Sequence, residues 1–281
     1  MFDKALVALD LSPAEQPIVD CLPALRQWGV RHLILTHVIR FGYTQGAALA
    51  HQQDYVDWLQ RCAHTLREEG LSVEVQVRSS GVPADEILTG ANETNADLII
   101  IGSRGQNILS KLFLGSVARD VIHKSTRPLL LEWVEPTAQR TRSRCEAVCT
   151  DTLHHIVFAT DFSPRALAAE RAVVTLAPRA QATECVHVLP SSSETESSTS
   201  GMDAQRKIEE LVTRLHSAGA KASAAVLQGV PSAEIARHAA SRDASLIIVG
   251  KHGQNWLEST VIGSTAERVC EIAGRPVLMV P

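Results

Sequence analysis

The chain has 281 residues, of which 45% are hydrophobic and 21% charged, with a formal net charge of −4 at pH 7; this suits one large domain or two of ~140 residues with ample apolar material for a core, and excludes a wholly disordered chain. There is no excess of basic charge to neutralise a phosphate backbone, and aromatic residues are only 4%, which argues against nucleic-acid binding. No apolar run approaches the ~20 residues of a bilayer span, and the start, Met1-Phe2-Asp3-Lys4, lacks a basic region followed by a long apolar stretch, so the expected location is the cytoplasm.

In chain order, the apolar run 4–9 predicts a strand. Pro13 suits the first turn of a helix, and Ile18, Leu22 and Leu25 sit at helical spacing, predicting a helix over 14–28. A second strand follows at 32–38, then a long helix over 48–69 that stops at Gly70. Residues 71–77 alternate as a third strand, and Pro83 opens a helix to about 95. The run 97–102, DLIIIG, reads as a fully buried strand, and a helix over 115–125 and a strand at 128–132 follow it. Apolar strands alternating with helices predict an α/β fold with a parallel sheet covered on both faces and right-handed crossovers.

The second half repeats the first. Residues 81–102 (GVPADEILTGANETNADLIIIG) and 229–250 (GVPSAEIARHAASRDASLIIVG) align without a gap and agree at half their positions. GSRGQNILSKLFLGS from Gly102 matches GKHGQNWLESTVIGS from Gly250, and Arg127-Pro128 matches Arg275-Pro276. The front halves match more loosely: KALVALD from Lys4 answers HIVFATD from His155, and Ser12-Pro13 answers Ser163-Pro164. Two tandem domains are therefore expected, at 1–133 and 154–281, the second ending in a strand at 276–280. The stretch 134–153, with Pro136, Arg140, Arg142 and Arg144, reads as a linker. The polar stretch 190–201, PSSSETESSTSG, reads as a mobile loop before a helix, with regulated phosphorylation as its functional alternative.

Candidate chemistry gathers where an open α/β sheet binds ligands, outside the carboxyl ends of its strands. Each copy places an acid after strand one (Asp10, Asp161), a glycine pair after strand four (Gly102 with Gly105, Gly250 with Gly253) and Gly-Ser before the next helix (Gly115-Ser116, Gly263-Ser264). Glycines permit close backbone approach and φ > 0; loop N–H groups make an anion site; the helix N-terminus adds donors and partial positive charge. Arg104 and His252 are placed to screen phosphate charge. The aspartates suit a ribose hydroxyl, an adenine amine or a metal-bound water. Taken alone, a Gly-x-x-Gly is commonly a turn and a Gly-Ser commonly a helix cap; their recurrence as Gly-x2-Gly-x9-Gly-Ser in both copies favours a phosphate site.

At these residues the chain resembles the universal stress protein family, over nearly its whole length and as two tandem domains. Gly81-Val82-Pro83 and Gly229-Val230-Pro231 add to the likeness. The resemblance implies a Rossmann-like, adenine nucleotide alpha hydrolase-like fold with five parallel strands in the order 3-2-1-4-5 in each domain. It implies ATP or another adenine nucleotide, with or without Mg²⁺, held in each domain by the glycines and serines above together with Val117 and Thr265. Val38 and Val188 match positions that line the adenine, and Ala8 and Ala159 lie near the same pocket by analogy. It also implies a homodimer, an intramolecular pseudo-dimer of the two domains, an unidentified protein partner and a role as a nucleotide-dependent sensor or regulator. Copy two departs from copy one in having Lys251-His252 where copy one has Ser103-Arg104.

Rival readings are a slow ATPase or phosphoryl-transfer enzyme, and a nucleotide-independent dimeric scaffold. No Walker-type Gly-x4-Gly-Lys, dinucleotide fingerprint, His-Glu-x-x-His or Gly-x-Ser-x-Gly motif occurs, and no water-positioning residue is evident. His37 and His187, equivalent near the end of strand two, read as hydrogen-bonded strand-end histidines; Trp58 and Trp256, which are not equivalent, read as packing or interface residues. The six cysteines, at 21, 62, 145, 149, 185 and 270, sit in a long chain without a disulfide-scaffold composition and are expected as free thiols; Cys145 and Cys149, with His154 and His155, lack Cys-x-x-Cys spacing for zinc.

Overall fold

Valine, leucine and isoleucine dominate the strand segments because both faces of each central strand are covered. In the computed structural model, which describes residues 1–12, 15–40, 52–103, 114–133, 151–190, 194–253 and 262–281, the first copy contains β1 (Lys4–Leu9), α1 (Glu15–Cys21), β2 (His32–Arg40), α2 (Gln52–Glu68), β3 (Ser72–Ser80), α3 (Pro83–Glu93), β4 (Leu98–Gly102), α4 (Ser116–Lys124) and β5 (Leu129–Glu132). β1 is central. It pairs in parallel with β2, from Lys4↔His32 to Leu9↔His37, and with β4, from Ala5↔Leu98 to Ala8↔Ile101. β2 also pairs with β3, and β4 with β5, so the order is β3-β2-β1-β4-β5.

The second copy contains β6 (His155–Ala159), α5 (Leu167–Leu176), β7 (Ala182–Leu189), α6 (Glu194–Ser217), β8 (Ala222–Gln228), α7 (Pro231–Ser241), β9 (Leu246–Gly250), α8 (Ser264–Ile272) and β10 (Val277–Val280). Its strands are again all parallel, in the order β8-β7-β6-β9-β10. The chain divides into two compact units, Met1–Thr150 and Asp151–Pro281. In each, the central strands are buried: Leu6, Val7, Ile99 and Ile100 in the first, Val157, Phe158, Ile247 and Ile248 in the second. Each such side chain contributes roughly 1.5–3 kcal/mol of transfer free energy. In the second unit a buried polar contact also docks α7 on the sheet. His238 Nε2 lies 2.9 Å from the Glu184 carboxylate of β7, and Arg242 lies 3.4 Å from it.

Three expectations change. The helix predicted over 14–28 is α-helical only to Cys21 and continues as a 3₁₀ turn over Leu22–Trp28, because Pro23 brings no N–H to the i→i−4 ladder. The stretch predicted as a loop at 190–201 is helical from Glu194 onward; residues 191–193 lie outside the described residues. Cys62, Cys185 and Cys270 are free and buried, and burial pushes the thiols of Cys185 and Cys270 up to about 12, but Cys21 is disulfide-bonded. Most of the expected linker, along with Pro13, Arg104, Gly105 and Trp256, also lies outside the described residues.

Candidate functional site

The switch in strand order puts a crevice at the carboxyl ends of β6 and β9, because the connections leave these neighbours toward opposite faces. The chain after β6 turns sharply. Phe162 has φ 56°, and the Ser163 N–H donates to Asp161 Oδ1 at 3.0 Å, which fixes that carboxylate at the strand end. After β9, Lys251 donates its N–H to the Val280 carbonyl at 2.7 Å and accepts from the Gly263 N–H at 2.8 Å. These bonds hold the two glycine segments of the motif side by side.

The motif glycines are there for space rather than for left-handed backbone. Gly250, Gly253 and Gly263 lie outside the positive-φ region. A Cβ on Gly253 would stand 2.7 Å from Asp161 Oδ2, and one on Gly263 would stand 3.3 Å from the Lys251 carbonyl. α8 then opens after Gly263 (φ −68°) with no side-chain cap. Its first-turn N–H groups have no intrahelical acceptors and carry the positive end of the helix dipole.

These elements enclose a cavity of about 570 Å³. All nine residues expected from the second copy line it: Ala159 and Asp161 after β6, Val188 from β7, Gly250, His252 and Gly253 after β9, and Gly263, Ser264 and Thr265 at the start of α8. On the β7 side the wall is largely apolar, with Val186, Val188 and Ile235. On the β9 side it is polar, made by the glycine segments and the helix N-terminus. Lys251 lies on this wall, 3% exposed, and burial lowers its pKa from the usual lysine value. Lys207 of α6 reaches the same cavity. It carries no motif signal, since its place depends on α6 packing over β7 and β8. Phe162 and Ala166 are further lining residues that spacing alone did not single out.

The first copy repeats the framework. The Ser12 N–H donates to Asp10 Oδ1 at 3.1 Å, with Leu11 at φ 58°. Ser103 donates to the Glu132 carbonyl at 2.8 Å and accepts from the Gly115 N–H at 2.9 Å. Gly115 (φ −59°) precedes α4, which begins at Ser116 and Val117 without a side-chain cap. Ala8 sits between Thr36 and Ile101 in the sheet, Val38 pairs with Arg78, and Gly102 pairs with Glu132. Arg104 and Gly105 lie outside the described residues. The strand-two histidines behave alike: His37 Nδ1 lies 2.8 Å from the Leu9 carbonyl and His187 Nδ1 lies 2.8 Å from the Thr160 carbonyl.

Two buried carboxyls belong to the first copy alone. Glu15 is 5% exposed. Burial and then the neighbouring charge of Asp10 push its pKa up to about 9, against opposing hydrogen bonds from the backbone of Ser12 and Asp10. Glu132 is pushed up to about 7 by burial. Among the described residues no group of three or more His, Cys, Asp or Glu could hold a metal ion, and no helix is long and apolar enough to cross a membrane.

An open, all-parallel, doubly wound sheet, present twice, defines a tandem α/β protein. The model of the universal stress protein family matches residues 1–131 and 152–281, and the chain belongs to that family. Universal stress protein YxiE of Bacillus subtilis strain 168 is 30% identical over 147 residues, covering 47% of this chain and 99% of the relative. Universal stress protein Sll1388 of Synechocystis is 30% identical over 142 residues, covering 43% of this chain and 92% of the relative. The solved structure of a universal stress protein from Archaeoglobus fulgidus DSM 4304 superposes with a TM-score of 0.77 at 21% identity, covering 99% of this chain and 97% of that one; it shares the tandem fold.

Proposed function

We propose that this universal stress protein binds an adenine nucleotide, ATP by the resemblance of its motif, in the cavity of the second copy, and that occupancy governs association with a protein partner in the cytoplasm. The observation that carries the reading is the convergence of a complete Gly-x2-Gly-x9-Gly-Ser motif, an uncapped helix N-terminus and a buried Lys251 on one cavity of about 570 Å³. Such a volume suits a small ligand of this size. In this reading the β9 side, with Gly250, Gly253, Lys251 and Ser264, holds phosphates, and the apolar β7 side, with Val188, receives the base. Asp161 faces the ribose or the base amine. Mg²⁺, when bound with ATP, would sit on the phosphates, where it neutralises charge.

Calorimetric titration of the full chain with ATP, with and without Mg²⁺, tests this. Saturable binding removed by Gly263→Trp is the expected result; no binding, and no nucleotide released from the purified protein, would sink the reading. Phosphate release in the same samples separates a binding protein from a slow ATPase. Sedimentation at several nucleotide concentrations measures whether the chain forms the homodimer implied by its family and whether ligand shifts it.

A further inference from the structure

The two copies differ at positions that line the cavity of the second. The turn after strand one is the same in both. An aspartate Oδ1 accepts from the N–H two residues on (3.1 Å for Asp10, 3.0 Å for Asp161), a positive-φ residue follows the aspartate, and the N–H five residues on donates to the serine carbonyl (Glu15 to Ser12 at 3.1 Å, Ala166 to Ser163 at 3.0 Å). Glu15 therefore occupies the place of Ala166. Ala166 lines the second cavity, and its Cα stands 3.7 Å from where a Gly250 Cβ would be. In the first copy that wall carries a carboxyl, which is buried with Oε1 lacking any hydrogen-bond partner.

The long helices give a second, independent difference. α2 and α6 are each followed by a left-handed glycine, Gly70 (φ 84°) and Gly219 (φ 89°). Counting back from these glycines, Tyr55 stands where Ala204 stands, and Trp58 where Lys207 stands. Ala204 and Lys207 line the second cavity. Tyr55 lays its ring against His37, centroid to centroid 4.7 Å, from the helix side of the end of β2, whereas the ring on the equivalent His187 is that of Phe162, 4.9 Å away, from the turn after β6. At the polar side, Ser103 stands in place of Lys251. Thus copy one carries Glu15 and Tyr55 where the cavity wall of copy two has Ala166 and Ala204, and lacks both lysines that line that cavity.

We infer that only the second copy is a nucleoside polyphosphate site, and that in the first copy the Glu15 carboxyl and the Tyr55 ring stand in the place of the ligand. This rests on the nucleotide reading proposed above. It replaces two sites per chain with one, despite an intact glycine-serine motif in both copies. The motif supplies backbone donors, but side chains elsewhere on the wall decide whether a ligand reaches them.

The test is the number and location of ATP sites on the full chain. Calorimetry should give one site per chain, and photolabelling with 8-azido-ATP followed by peptide mapping should mark only residues 151–281. The double variant Glu15→Ala, Tyr55→Ala should raise the count to two and bring label into residues 1–133. Two sites on the unaltered chain, or a single label in 1–133, overturns the inference while leaving nucleotide binding in place. No site at all overturns the nucleotide reading and the inference with it. A double variant that keeps native circular dichroism and stays at one site overturns the assignment to Glu15 and Tyr55. The measurements on the unaltered chain stand whether or not that variant folds.

Discussion

A Cβ at Gly253 would stand 2.7 Å from Asp161 Oδ2, closer than any carbon and oxygen rest without a bond, so Gly253→Ala must move one of them. Asp161 is held by the Ser163 N–H at 3.0 Å, and a net hydrogen bond of this kind is worth about 0.5–1.5 kcal/mol. The variant should lose about 1–2 kcal/mol in denaturant titration and weaken ATP binding at least tenfold in calorimetry; unchanged affinity would show that the Asp161 contact is not used. Glu15 is legible in another way, through pH. Its folded pKa of about 9 stands above the ordinary 4.5, so the folded chain holds this proton more tightly than the unfolded chain. The resulting stability is full below about pH 4.5 and is lost as pH rises through about 9. Glu15→Gln removes the ionisation, so the variant should gain on the unaltered protein by about 1–4 kcal/mol between pH 5 and 8. Parallel unfolding curves across that range would refute the assignment.

At the scale of elements, the same Gly-Val-Pro sequence opens α3 and α7 but does different work. Gly229 has φ +143°, and a Cβ there would stand 3.0 Å from the Glu234 side chain, whereas Gly81 has ordinary φ and no atom within 4 Å of such a Cβ. Gly229→Ala should therefore cost about 1–3 kcal/mol, and Gly81→Ala less than about 0.5 kcal/mol, measured as shifts in denaturation midpoint. A motif match does not reveal this, because φ depends on how the preceding strand delivers the chain to the helix. The strands were legible because central parallel strands are continuous apolar runs, and LIIIG and LIIVG are such runs. The start of α6 was not. Its serines and threonines are neutral helix residues that also favour turns. The helix there continues from Gln205–Leu215, whose apolar positions Ile208, Leu211 and Leu215 are fully buried, so tertiary docking extends it where propensity alone would stop.

At the scale of the molecule, two compact units of which only the second binds nucleotide, as inferred above, should respond unequally to ligand. ATP at a hundred times its dissociation constant stabilises the state that binds it by about 2.7 kcal/mol, which moves the melting of a unit of this size by on the order of 10 °C. Native-state hydrogen exchange with ATP should show increased protection in the strand ends and helix starts of residues 151–281 and little change over 1–133. Equal protection in both halves would contradict a single site. The fold alone leaves such a question open, since shared architecture sets where a ligand binds more firmly than whether it does.

The sequence by itself determined the duplication, the alternation of strands and helices, and the glycine-serine motif with Asp10 and Asp161 at the strand ends, because each of these is written in local spacing or in the likeness of one half to the other. The nine residues expected in the second copy meet at one cavity for the same reason. Only the tertiary structure decided that Lys207 joins them, that Gly253 is pressed against Asp161, and that Glu15 is buried beside Asp10 where its counterpart is Ala166. The first two are contacts between segments far apart in the chain, and the third is a burial set by how the turn after β1 packs; no periodicity within one segment records any of them.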